Sequence, residues 1–237
     1  RQKTISTVVV LGILVLAFAT FDHFDRLFFA TGPLTVGLIA VATIPFDEPK
    51  GYIQRVALGT VGFMMFGFSL AYLGYFANDP NYRPMLLLLL MSVSLNDIFA
   101  YCSGRLIGRR KVLPQTSPGK TAGGCLGALV LTSLTVMIVG HFVFFGTAVD
   151  QFGVLLFLGV LISSLGQLGD LVLSSIKRDI GIKDIGTAIP GHGGLLDRFD
   201  SLVLVPPAVF HFLSLVLGPL GGDQPARILS SPWMIGN

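Results

Sequence analysis

Seven runs of about twenty mostly apolar residues constrain this chain more than any other feature. They lie at 4–21, 28–46, 53–77, 85–107, 121–145, 153–176 and 200–218. A helix rises about 1.5 Å per residue and the hydrocarbon layer is about 30 Å thick, so each run is long enough to cross a bilayer. Backbone polar groups in lipid must pair within the segment, which selects helices, and no period-two alternation points to a barrel. Charge agrees: 12% of residues are charged, where a soluble domain carries about 25%. The expected fold class is all-α, a polytopic membrane bundle of about seven transmembrane helices. The chain is read as one integral-membrane domain over 1–237, with N-terminal spans in 1–84, a region with two polar loops in 85–201, and a last span and tail in 202–237. It starts at Arg1 rather than Met, which leaves open whether a further helix precedes it.

Lysine and arginine placement gives an orientation. With the N-terminus in the cytoplasm, only Arg26, Arg83 and Arg227 fall on the far side, and the other thirteen of the 16 cations fall on the cytoplasmic side or its helix ends. Both long polar loops, 108–120 and 177–199, then face the cytoplasm. A net charge of +3 says little about nucleic acid, and no basic, aromatic-interleaved tract appears, so no nucleic-acid partner is expected. Cys102 and Cys125 match no zinc spacing and read as small packing residues. His23, His141 and His211 stand alone on or near apolar spans and read as packing or interfacial residues.

Two acids sit inside the spans, Asp97 and Asp170. A carboxylate in that setting costs several kcal/mol unless paired, so it marks either a functional site or an interhelical polar contact. The stretch from Lys177 to Ser201 adds Asp179, Asp184, Asp197 and Asp200 to Lys177, Arg178, Lys183 and Arg198. A solvated loop explains these charges but not the glycines Gly191, Gly193 and Gly194 around His192. Consecutive amides can form an anion-binding nest, and mixed Lys, Arg and Asp suit a polyphosphate held with a metal. The other loop ends in Ser117, Pro118, Gly119, Lys120 and Thr121. It is not a P-loop, because Pro114 stands where the first glycine belongs and no strand is expected before it. Phosphate binding at a helix N-terminus and simple helix capping remain equal readings there.

The stretch SSIKRDIGIKDIGTAIPGHGGLLDRFD resembles the signature of the phosphatidate cytidylyltransferases, or CDP-diacylglycerol synthases. Ser174, Lys177, Arg178, Lys183, Asp184, Gly186, Pro190, His192, Gly193, Gly194, Asp197, Arg198 and Asp200 fall in its register. NDIFAYCSGRLIG is similar to a second block of that family, through Asp97, Phe99, Ala100, Tyr101, Gly104, Arg105 and Gly108, and Gly169–Asp170 matches an upstream acid. One block departs: the family's S-P-K-K-T-W-E-G reads SPGKTAGG, so Gly119, Ala122 and Gly123 replace Lys, Trp and Glu.

The resemblance implies transfer of the cytidylyl group of CTP to phosphatidate, giving CDP-diacylglycerol and pyrophosphate in phospholipid biosynthesis. It implies Mg²⁺, with a second cation compatible, held by Asp170 and Asp197. Lys177, Arg178, Lys183, Asp184, His192, Arg198 and Asp200 would form the catalytic set, and Asp97, Ser117, Lys120, Thr121, Gly193 and Gly194 the substrate-binding set. CTP and phosphatidate would be the partners, with a homodimer as one open assembly state. The place would be a bacterial inner membrane, with the active site facing the cytoplasm. Two other lipid chemistries share this charge pattern: a CTP-dependent, polyprenol-type lipid kinase and a cytidylyltransferase for another lipid phosphate. A transporter using Asp97 and Asp170 as ion sites would require paired discontinuous helices in inverted repeats, and no such repeat is visible. A catalytically inactive scaffold of the same ancestry is the remaining alternative.

Overall fold

A computed structural model describes residues 2–21, 25–46, 49–77, 79, 82–182, 199–218 and 220. Its elements are α1 (Gln2–Phe21), α2 (Asp25–Thr43), α3 (Tyr52–Gly62), α4 (Ser69–Phe76), α5 (Tyr82–Ile107), β1 (Lys111–Leu113), β2 (Ser117–Thr121), α6 (Ala122–Val143), α7 (Phe152–Asp179) and α8 (Val205–Leu217). Among the described residues six segments are long and apolar enough to cross a membrane, and α1 adds a shorter apolar stretch at Thr4–Thr20. Each expected span holds a helix, the last only over the 13 residues of α8 after a 3₁₀ turn, and the protein is an integral-membrane helical protein. The helices gather into two compact units, α1–α4 and α5–α8.

In the first unit, α3 and α4 form one span joined by a π-helical segment, Phe63–Phe68. A π turn widens a helix and turns its side chains. Phe68 here stacks on Phe28 of α2, with centroids 5.7 Å apart. Tyr75 stacks on the same ring at 4.4 Å, and Tyr72 meets it edge-on at 5.2 Å. The Tyr75 hydroxyl donates to the Asp25 carboxylate in the first turn of α2.

The second unit is built on close backbone approach. In lipid there is no hydrophobic drive between helices, so small residues that let backbones touch carry the packing. On the α5–α6 seam, a Cβ on Gly124 would stand 2.6 Å from the Ala100 carbonyl oxygen. One on Gly127 would stand 2.2 Å from the Ser103 hydroxyl. On the α6–α7 seam, one on Gly159 would stand 2.6 Å from Ser133 Cα.

A polar hub locks the same three helices. Asn96 of α5 is fully buried, and its Oδ1 accepts from Ser163 Oγ of α7 at 2.6 Å and Thr132 Oγ1 of α6 at 3.2 Å. Asn96→Leu is expected to take from both hydroxyls the acceptor they share in a buried site and to lower unfolding free energy by about 1–3 kcal/mol. A denaturant titration of the detergent-solubilised protein checks this, and an unchanged midpoint would contradict it.

α7 has 28 residues, about 42 Å at helical rise, so it overshoots the hydrocarbon layer. Its last turn, with Lys177 and Arg178, reaches the polar interface. Gly181 ends it with φ +74°, where Ile182 N donates to Lys177 O and Gly181 N to Arg178 O. This is the paired bonding of a Schellman cap, which needs a residue at home in the left-handed region.

The loop 108–120 is a small hairpin rather than an open turn. β1 and β2 pair antiparallel with Lys111 opposite Thr121 and Leu113 opposite Ser117. A strand therefore does precede the GKT triplet, contrary to expectation. The triplet is itself strand β2 and Pro114 remains, so no P-loop results. Ala122 N donates to Arg110 O at 2.8 Å and closes the hairpin onto α6.

Candidate active site

A pocket of about 450 Å³ opens in the second unit. The C-terminal half of α5, the hairpin, the first turn of α6, the C-terminal half of α7 and a 3₁₀ turn at Asp200–Leu202 form its walls. The structure brings six of the sequence-predicted residues to it: Asp97, Ser117, Lys120, Thr121, Asp170 and Asp200. Glycine geometry explains their meeting. A Cβ on Gly169 would stand 2.7 Å from the Asp200 carbonyl oxygen, so only glycine lets the 3₁₀ turn lie against α7 beside Asp170.

Lys120 is the centre of the arrangement. Its Nζ lies 2.6 Å from Asp170 Oδ2 and donates to the Gln167 carbonyl at 3.1 Å. Only 16% of the Lys120 side chain and 23% of that of Asp170 is exposed, so this pair is far less screened than a surface bridge. Ser174 Oγ donates to the other Asp170 oxygen at 3.3 Å. Asp97 accepts from Ser201 Oγ at 2.9 Å, and Ser201 N donates to Asp200 Oδ1 at 2.8 Å. Lys177 Nζ stands 4.0 Å from Asp200 Oδ2 at the edge of the group. Asp97, Asp170 and Asp200 lie within electrostatic reach of one another.

Two predicted residues take supporting positions. Thr121 caps α6, its Oγ1 accepting from Gly124 N at 3.1 Å, while it also lines the pocket. The capping and pocket readings of this loop thus hold together at one residue. Arg178 points to the hairpin, with Nε donating to Thr116 O at 3.5 Å, and is not among the pocket-lining residues. Lys183, Asp184, His192, Gly193, Gly194, Asp197 and Arg198 lie outside the described residues.

Sequence reasoning missed Gln167 and Ser201. Gln167 lines the pocket and ties its floor together, with Nε2 donating to Cys125 O and Ser163 Oγ at 3.2 Å each. Its position three residues before Asp170 on one helix face was the available signal. His141 is also less isolated than expected, with Nδ1 2.7 Å from Asp150 Oδ1. Cys125 is half-buried and lines the pocket, whereas Cys102, expected to pack, is exposed.

The departure in SPGKTAGG has a geometric counterpart. A Cβ on Gly123 would stand 2.8 Å from the Ile107 carbonyl oxygen, so α6 starts closer to α5 than a glutamate there would allow. Gly119 lines the pocket and a Cβ on it would meet nothing within 4 Å. The pocket is open where the family pattern has a second lysine.

Could this donor set hold Mg²⁺? Among the described residues no group of three His, Cys, Asp or Glu is close enough to enclose an ion. Magnesium, however, uses one or two carboxylates and takes its remaining ligands from water and substrate phosphates. The described lining has three carboxylates and one ammonium, all hard or charged groups, with an excess of negative charge. A polyanion would enter that lining only with a cation to offset it. Asp170 and Asp200 have the oxygen-donor chemistry that such an ion uses.

Fold and site together define an integral-membrane protein with a charged pocket in its second helical unit. The chain belongs to the cytidylyltransferase family, whose sequence profile matches residues 1–216. It is 37% identical over 208 residues to the uncharacterized protein YnbB of Escherichia coli K12, covering 86% of this chain and 67% of that one. It is 45% identical over 115 residues to the phosphatidate cytidylyltransferase of Staphylococcus saprophyticus, covering 48% of this chain and 43% of the relative. For the Staphylococcus haemolyticus phosphatidate cytidylyltransferase the figures are 40% over 162 residues, 68% and 58%. The chain thus spans about two thirds of the first relative and roughly half of the other two.

Proposed function

We propose that this protein transfers the cytidylyl group of CTP to phosphatidate, releasing pyrophosphate and forming CDP-diacylglycerol. The observation that carries the reading is the convergence of Lys120, Asp170, Asp200 and Asp97 in one pocket whose walls include the interfacial end of α7. The two staphylococcal relatives bear the name of this activity.

In the proposed reaction a phosphate oxygen of phosphatidate attacks the α-phosphorus of CTP. The bond from that phosphorus to the α–β bridging oxygen breaks, and pyrophosphate leaves with the electron pair. No general base is required, because the attacking phosphate is already ionised. The work is to hold two anions in line and offset their charge. Lys120 would receive a phosphate oxygen at the pocket floor. Ser117 and Thr121 would place hydroxyls on the same side, and Lys177 would meet the phosphates at the rim. By the resemblance, Lys183, His192 and Arg198 would also serve the phosphates, and Gly193 and Gly194 are of the residue type that allows close backbone approach. Asp170, Asp200 and, in the signature, Asp197 would hold Mg²⁺, which would offset the charge on the leaving pyrophosphate.

The placement of thirteen of 16 cations on one side supports a cytoplasmic-facing pocket. Soluble CTP would then arrive from that side while phosphatidate keeps its tails in the bilayer of a bacterial inner membrane.

Purified protein supplied with CTP and Mg²⁺ is expected to release pyrophosphate only when phosphatidate is present. Chelation with EDTA should bring release to background, and excess Mg²⁺ should restore it. Release that ignores phosphatidate, or that survives chelation, would contradict the reading.

A further inference from the structure

Gln167 lines the charged pocket and has no part in the reaction described above. Its amide is held from one side. Nε2 donates to Cys125 O of α6 and to Ser163 Oγ one turn back on α7, at 3.2 Å each. Ser163 gives its own proton to Asn96 Oδ1 at 2.6 Å, so its oxygen can only accept from Gln167. A carbonyl and a hydroxyl that has already donated both require a donor, which turns the amide nitrogen toward them and the oxygen away. Both amide protons are therefore engaged. Oε1 accepts no hydrogen bond among the described residues, and it is not sealed from solvent. The wall thus presents a neutral group that can only accept. We propose, on the cytidylyl-transfer reading, that Gln167 is a specificity-determining residue whose Oε1 accepts a hydrogen bond from the nucleoside of CTP.

The two substrates differ in what they offer an acceptor. Ionised phosphatidate carries only acceptors, on its phosphate and its ester groups. CTP carries donors in two places, the 4-amino group of cytosine and the hydroxyls of ribose. An acceptor-only group in the wall therefore suits the nucleotide and not the lipid. Lys120 agrees with this. Its Nζ donates to the backbone O of the same Gln167 at 3.1 Å and faces Asp170, one turn further along α7, at 2.6 Å. The cation that would take a phosphate oxygen thus adjoins the neutral acceptor, and CTP has a phosphate end and a nucleoside end to place on the two. A fixed acceptor also discriminates. An analogue without the donor leaves Oε1 unpaired. Uracil, with a carbonyl in place of the amino group, would set oxygen against oxygen.

The test measures kcat/KM for pyrophosphate release by the purified full chain at saturating phosphatidate, with CTP, UTP, 2′-deoxy-CTP and 3′-deoxy-CTP. UTP lacks the amino donor and each deoxy nucleotide lacks one hydroxyl, so the arms tell the two sources apart. The wild type is expected to use at least one of the three about tenfold less well than CTP. In Gln167→Met the CTP value should fall and that preference should shrink to about twofold or less, with KM for phosphatidate unchanged. A role confined to tying α6 to α7 would lower all four nucleotides alike and keep the preference, and that result overturns the proposal. So does a wild type that uses all four equally, which leaves the cytidylyl-transfer reading standing. A wild type that releases no pyrophosphate from CTP fails that reading and this inference with it. If Gln167→Met does not fold, Gln167→Asn decides by the same ratio, because it keeps an amide but withdraws it by one methylene.

Discussion

Asp170→Asn is expected to lower CDP-lipid formation by about a thousandfold while the protein still elutes as a single species in detergent. The substitution keeps shape and removes charge. Ser174 keeps a partner at position 170, and the Gln167 carbonyl still holds Lys120. The carboxylate that faces Lys120 at 2.6 Å is lost, along with its service to the cation. If the pair acts as one unit, the double variant Asp170→Asn with Lys120→Met should be little worse than either single one, since groups acting together are not additive. Turnover of Asp170→Asn near the wild-type rate would remove Asp170 from the site. Fully additive losses would show that Lys120 and Asp170 act separately.

Gly124→Ala is expected to damage both the α5–α6 seam and the pocket wall. The new Cβ would stand 2.6 Å from the Ala100 carbonyl oxygen and 3.1 Å from both Gly104 Cα and Thr121 Oγ1. Two of these three neighbours are backbone atoms and cannot rotate away. Overpacking of this kind costs about 1–3 kcal/mol. Thr121 would also be pushed off the cap it gives Gly124 N, and with it the pocket wall beside Lys120. Unfolding free energy and activity should therefore fall together. Gly153→Ala is the control, because a Cβ there meets nothing within 4 Å. Equal behaviour of the two variants would contradict the close-packed seam.

The spans were legible because bilayer thickness and helical rise leave little freedom once a run of twenty apolar residues is seen. The acids were legible because charge inside a span is rare. The hairpin was not. Ser117–Thr121 contains Pro118 and Gly119, poor strand formers, and it is held by closure onto Arg110 rather than by propensity. The π segment was hidden because Phe63–Phe68 is apolar whatever its helical winding. Asn96 escaped notice beside Asp97, though an amide in a span also demands partners. Gly169 and Gly124 show a different limit. Sequence marks a glycine but not the backbone it faces, and here the facing atoms are Asp200 O and Ala100 O, 31 and 24 residues away.

The central claim is cytidylyl transfer, and the fate of a single phosphorus tests it most directly. Purified protein is incubated with phosphatidate, Mg²⁺ and CTP labelled at either the α- or the γ-phosphorus, and the lipid is extracted. The account predicts α-label in the lipid and γ-label in aqueous pyrophosphate. Label from the γ-position in the lipid would make the protein a CTP-dependent lipid kinase and contradict the account.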